Sequence, residues 1–203
     1  MNALTSEDIK AGYRLLFDGE SLNGWASTLN TAGWIVKDGN LVCKGERSGY
    51  LYTLEKFENF ILDLEYRTAP NVNSGVFFRW SDLTDPVNTG LEVQILDTYD
   101  QDNMVRNSAG ALYDLVAPSS NAVRPAGEWN RLIIRCDRND IQITLNSVPV
   151  VEADIDQWSI PGKNPDGSDN KFKYAWKDQP RLGHIGLQDH GGYVEFRNLK
   201  IKL

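Results

Sequence analysis

The chain holds 203 residues with a formal net charge of −7, and 41% of them are hydrophobic. That length supports one sizeable core, and no linker-like shift in composition divides it, so residues 1–203 read as a single domain. Basic residues are scattered rather than gathered in a stripe and no apolar run approaches a membrane span, which sets aside nucleic acid and membrane as expected partners.

From the start, the polar segment 1–10 lacks the apolar run of a secretory signal. That predicts a cytoplasmic protein, or a periplasmic or secreted one if a signal sequence has been removed. Thr5 to Gly12 reads as a short helix with Thr5 or Ser6 as N-cap. Helical periodicity is scarce beyond it. Short alternating runs separated by Gly, Asn, Asp and Pro recur instead, the pattern of an antiparallel β sandwich or barrel. Strands are expected over 12–17, 34–37, 40–44, 60–68, 73–80, 91–96, 129–137, 140–145, 148–154, 184–188 and 194–201. Lys37-Asp38-Gly39-Asn40 carries a hairpin signal, and Arg138-Asn139-Asp140 and Asn146-Ser147 read as turns. Cys43 and Cys136 are too few for a disulfide framework and read as reduced and structural. The stretch 156–181, with its prolines and glycines, is long enough to be a functional loop covering a site. At least half of its aromatic residues, Trp158, Phe172, Tyr174 and Trp176, are expected to pack inward. In the last strand the apolar parity changes between Val194, Phe196 and Leu199, Ile201, which predicts a bulge at Arg197-Asn198.

Three strands present chemistry. In Leu91–Asp97 the apolar Leu91, Val93 and Ile95 alternate with Glu92 and Gln94, so the latter two share a polar face, while Asp97 breaks the parity. Asn73, Gly75, Phe77 and Arg79 alternate likewise with Val76, Phe78 and Trp80. In Gly183–Gly192, Ile185 and Leu187 point one way and His184, Gly186, Gln188 and His190 the other, with Gly186 leaving a hollow. In one sheet, Arg79, Glu92, Gln94, His184, Gln188 and His190 would form one polar patch suited to a polar ligand. Taken singly, an outward Glu or Gln is ordinarily just solvated, Arg79 is a pairing partner for Glu92, and Asp189 is a turn former. Both histidines of the chain fall in this one segment, and imidazole titrates near neutral pH.

Six ordered blocks carry a family resemblance: Leu16–Trp25, Asn73–Arg79, Leu91–Asp97, Gly110–Tyr113, Pro125–Asn130 and Gly183–Gly191. Through them the chain resembles the 3-keto-disaccharide hydrolase domain family. The resemblance implies an all-β, concanavalin A-like jelly-roll sandwich of two antiparallel sheets. It also implies a small carbohydrate substrate whose glucosyl C3 hydroxyl a separate sugar 3-dehydrogenase has oxidised. The ketone acidifies the C2 hydrogen, so a base can remove it, the C1 substituent can leave by elimination, and water can add. That chemistry assigns His190 or His184 as base and Glu92 as acid or as orienter of a histidine. Arg79, with Gln94 or Gln188, would bind the ketone and hydroxyls, and Asp97 and Tyr113 would add substrate contacts. No cofactor is expected; the alternative is a divalent metal held by His184, His190 and Glu92. Two rival readings stand beside this one: a conventional glycosidase using Glu92 and Asp97, and a non-catalytic carbohydrate-binding module.

Overall fold

Alternation at period two dominates the chain, and the computed structural model, which describes residues 2–203, turns it into thirteen strands, two short α-helices and two short 3-10 helices. The strands are β1 (Arg14–Leu15), β2 (Trp25–Ser27), β3 (Trp34–Lys37), β4 (Asn40–Cys43), β5 (Leu51–Thr53), β6 (Phe60–Thr68) and β7 (Asn73–Trp80). They continue with β8 (Leu91–Leu96), β9 (Asn130–Asp137), β10 (Asp140–Leu145), β11 (Val148–Asp154), β12 (His184–Leu187) and β13 (Val194–Lys202). Helix α1 (Ser6–Ala11) starts at Thr5, whose side chain and that of Asp8 form a capping box, and stops at Gly12 in the left-handed conformation. Helix α2 (Pro86–Thr89) is a single turn between β7 and β8.

All pairings are antiparallel. The larger sheet runs β11-β10-β9-β6-β13-β4-β3, with β1 also on β13, and the smaller runs β2-β5-β12-β7-β8. The expected hairpins join β3 to β4, β9 to β10 and β10 to β11. At the first of them Asp38 and Gly39 both take positive φ, 52° and 75°, the two-residue turn that matches strand twist. In β13 the pairing with β6 shifts between Arg197 and Lys200, and Asn198 turns to φ 54°, so the predicted bulge is present.

The core lies between the sheets. Leu62, Leu64, Leu132, Ile134 and Phe196 of the larger sheet meet Val76, Phe78, Val93, Ile95, Ile185 and Leu187 of the smaller one. Cys43 and Cys136 are free and buried, and burial pushes both thiols up to about 12, which leaves them protonated and inert. Trp158, Phe172 and Trp176 of the long 156–181 stretch join the core, whereas Tyr174 stays exposed. Two strands go beyond the sequence reading: β2 and β5 are three residues each, too short for alternation to register. The expected strand at 12–17 contracts to β1.

Candidate active site on the outer face of the smaller sheet

The three chemistry-bearing strands are neighbours: β12 lies against β7, and β7 against β8. Register then builds the site. Gly186 stands opposite Tyr52 on one side and Phe77 on the other, and Phe77 stands opposite Glu92. Directly paired residues share a face, so Tyr52, Gly186, Phe77 and Glu92 form one cross-strand row. Beyond β8, Leu112 bridges to Val93 and the Tyr113 amide donates to the Glu92 carbonyl at 2.9 Å, so Tyr113 extends the row. A second row places Gly75 beside Gln94, with the Gln188 amide donating to the Gly75 carbonyl at 3.0 Å.

Arg79 is not on this face. The β7–β12 register shifts between His184 and Gly186, so that Trp80 pairs with His184, and Arg79 takes a left-handed φ of 51°. This bulge turns Trp80 outward beside Phe77, with ring centroids 5.8 Å apart. Arg79 is only 2% exposed; its Nε donates to the Glu58 carbonyl at 3.0 Å. Burial also lowers its pKa. The expected ketone ligand is thus withdrawn from the site. Nor does Gly186 leave a hollow, because a Cβ there would stand 2.9 Å from Trp80 Cε3: the indole ring fills the space.

The structure adds an aromatic group. Tyr50 packs at 5.2 Å on Phe77 and 5.8 Å on Trp80, and Tyr52 lies 5.9 Å from Trp80 and 5.2 Å from the His184 ring. His184 is buried, and its Nδ1–H donates to the Thr53 carbonyl at 2.6 Å. That bond leaves Nε2 as the basic nitrogen, and burial lowers the pKa, so the ring is neutral at pH 7. His190 lies past the end of β12 in an exposed bend and makes no hydrogen bond or ion pair with the described residues. Its neighbour Asp189 is buried and accepts from the Ser48 and Gly191 amides at 2.8 and 2.9 Å, a structural role.

Glu92 is the anomalous group. It is half-buried as a residue, yet Oε1 is sealed from solvent with no hydrogen-bond partner. Burial pushes the carboxyl up to about 8, with the Lys171 charge pulling the other way. Its side chain lies over Gly75, where a Cβ would come within 2.0 Å of Oε1. Gln188 donates from Nε2 to the Tyr50 hydroxyl at 3.1 Å and leaves Oε1 likewise sealed and unpartnered. Gln94 is tied to Asn73 Oδ1 at 2.9 Å. Asp97 accepts the Asn71 amide at 2.9 Å and so closes the turn ahead of β7. Among the described residues no three His, Cys, Asp or Glu side chains gather as a metal-holding group, so His184, His190 and Glu92 do not form the facial site weighed above.

Gly75 sits outside the left-handed region, so alanine carries no backbone strain there. Gly75→Ala is therefore expected to fold normally but to push the Glu92 carboxyl aside, lowering turnover by roughly 100-fold. Parallel melting curves and kcat measurements check this; unchanged kcat would mean that the resting place of Glu92 over Gly75 is not its working one.

An antiparallel two-sheet jelly roll, with imidazole, carboxyl and amide groups beside aromatic rings on one outer face, is the architecture of concanavalin A-like carbohydrate-active proteins. The chain belongs to the family described as the 3-keto-alpha-glucoside-1,2-lyase-like domain, which matches residues 12–202. A 3-keto-disaccharide hydrolase of Bacteroides thetaiotaomicron is 27% identical over 95% of this chain and 78% of its own length. A provisionally assigned glycosyl hydrolase of Parabacteroides distasonis superposes with a TM-score of 0.84 at 30% identity, covering 94% of this chain and 99% of that one. A lichenase from a mouse hindgut metagenome shares the fold, with a TM-score of 0.53 at 10% identity over 94% of this chain and 98% of its own.

Proposed function

We propose that this enzyme, a member of a family that breaks glycosidic bonds, acts on 3-keto-glycosides by C2-proton abstraction and elimination, with water adding to the product. The observation that carries this reading is Glu92: a carboxyl with a pKa raised to about 8 is protonated at neutral pH and can donate to a leaving oxygen. His184, neutral and with Nε2 free to accept, is the base suited to the C2 proton. Glu92 Oε1 and Gln188 Oε1 are buried without donors, a deficit that sugar hydroxyls would make good once these side chains turn toward the ligand. Tyr50 and Tyr52 offer half-exposed ring surface to a pyranose. The substrate presupposes a separate sugar 3-dehydrogenase upstream.

A retaining glycosidase reading is weaker, since it needs two working carboxylates and Asp97 is engaged in the turn before β7. The deciding experiment compares a nitrophenyl glucoside with its 3-keto derivative, with and without chelator, corrected for spontaneous elimination. Release from the keto compound alone is expected, and chelator is expected to leave the rate unchanged. Release from the parent glucoside would move the protein to ordinary glycosidase chemistry.

A further inference from the structure

With Arg79 withdrawn beneath the sheet, the ketone oxygen needs another positive partner. We propose that Lys171, delivered by the long loop between β11 and β12, is the cation that binds the substrate's C3 oxygen and the enolate it becomes. The inference rests on the 3-keto-glycoside reading above.

Three observations converge on Lys171. Its Nζ stands 4.0 Å from the centroid of the Tyr113 ring, and Tyr113 is the direct cross-strand neighbour of Glu92 on the site face. The ammonium has no carboxylate partner among the described residues, a state it shares on this loop with Lys177, whereas Arg106, Lys163, Lys173 and Arg181 near or on the loop each pair with an aspartate. An exposed ammonium resting on a ring face is held in place without being neutralised. The backbone beneath it is pinned: Lys171 N–H donates to Asp114 Oδ2 at 2.8 Å, Lys173 N–H to Asn88 Oδ1 at 3.1 Å, and Arg106 ties Ser168 at 2.8 Å and Asp166 at 2.7 Å. The anchored loop thus stations one charge at the β8 edge.

The step balances without any co-reactant. His184 Nε2 takes the C2 proton, the C–H electron pair forms the C2–C3 double bond, and the C3 oxygen becomes an oxyanion facing the Lys171 ammonium. Collapse of the enolate restores the C3 carbonyl, forms the C1–C2 double bond and breaks the C1–O bond, and the leaving oxygen takes the proton of Glu92. Water then adds at C1 as C2 regains a proton.

The test uses Lys171→Met and Lys171→Arg in the full chain, with kcat and kcat/KM followed across pH on the 3-keto nitrophenyl substrate. Wild type should give a bell, since His184 must be unprotonated and Glu92 protonated. Lys171→Met should lose about 100-fold in kcat, the usual consequence of removing one oxyanion donor. Its alkaline limb should also move upward, because Lys171 is the charge that lowers the Glu92 pKa; Tyr50, Tyr113 and Asp114, the other titratable groups around it, are unaltered. Lys171→Arg should restore most of both. Wild-type kcat in Lys171→Met would overturn the proposal while leaving the substrate reading intact. Failure of wild type on the keto substrate would overturn the substrate reading and the enolate role with it. NMR titration of Glu92 in unliganded wild type and Lys171→Met is independent of turnover, and an identical midpoint in the two would remove Lys171 from the site altogether.

Discussion

Glu92→Gln is expected to lower turnover of a 3-keto-glycoside by about 100-fold or more and, in the same protein, to raise the melting temperature. The loss follows because an amide keeps the shape but holds no transferable proton. The gain follows from the ionisation. In the folded chain burial holds the carboxyl up to about 8, against an ordinary value of 4.5. The native state therefore binds the proton more tightly than the unfolded chain, so stability is full below about 4.5 and falls as pH rises toward about 8. At pH 7 that penalty is about 3 kcal/mol, taking roughly 1.4 kcal/mol per unit of difference. Glutamine does not ionise and escapes it.

The melting-temperature difference between variant and wild type should accordingly be small at pH 5 and grow to several degrees at pH 8, at about 2–4 °C per kcal/mol for a chain of this size. A difference that does not grow with pH would show that Glu92 ionises freely and would remove the acid from the mechanism. The combination matters, since a merely structural glutamate would lose stability on substitution. A group held protonated against its own preference gains stability once that preference is removed.

What the sequence disclosed about this site depended on where apolar residues marked the parity. In β8, Leu91, Val93 and Ile95 leave no doubt that Glu92 and Gln94 face away from the core, and the structure agrees. In β13 the switch from Val194 and Phe196 to Leu199 and Ile201 exposes the bulge within the strand's own sequence. β7 offers no such mark: Val76, Phe77, Phe78 and Trp80 are all apolar, so hydrophobicity cannot say that the parity breaks at Arg79. The break is set by β12, whose His184 and Gly186 pair two-for-one with β7, and pairing between strands far apart in sequence is invisible to a local pattern. The same limit hid Tyr52, whose strand is three residues long, and Tyr50 just ahead of it. It hid Lys171 as well, since a loop has no period and its position depends on Asp114, Asn88 and Arg106.

His184→Ala is expected to lower kcat on the 3-keto substrate by about 100-fold or more, while His190→Ala stays close to wild type. The two imidazoles were equivalent as sequence, but the fold separates them. His184 is locked by Thr53 at Nδ1 and by the Tyr52 ring at 5.2 Å, and burial lowers its pKa so that Nε2 remains unprotonated at neutral pH. A base fixed in tautomer and orientation meets the requirement for proton abstraction; an exposed side chain on a bend does not. Burial also makes His184 a packing residue, so loss of activity alone would be ambiguous. Added imidazole separates the two roles: it should restore part of the turnover of His184→Ala if the missing element is a proton acceptor, and none if the sheet face has collapsed. The acid limb of the wild-type pH profile should lie below 6.5, the ordinary histidine value from which burial lowers this group, and should vanish in the imidazole-free variant. Full activity in His184→Ala with loss in His190→Ala would instead place the base on the exposed side chain beyond β12 and require the substrate to lie toward Gln188, the end of the face over which Glu92 already leans.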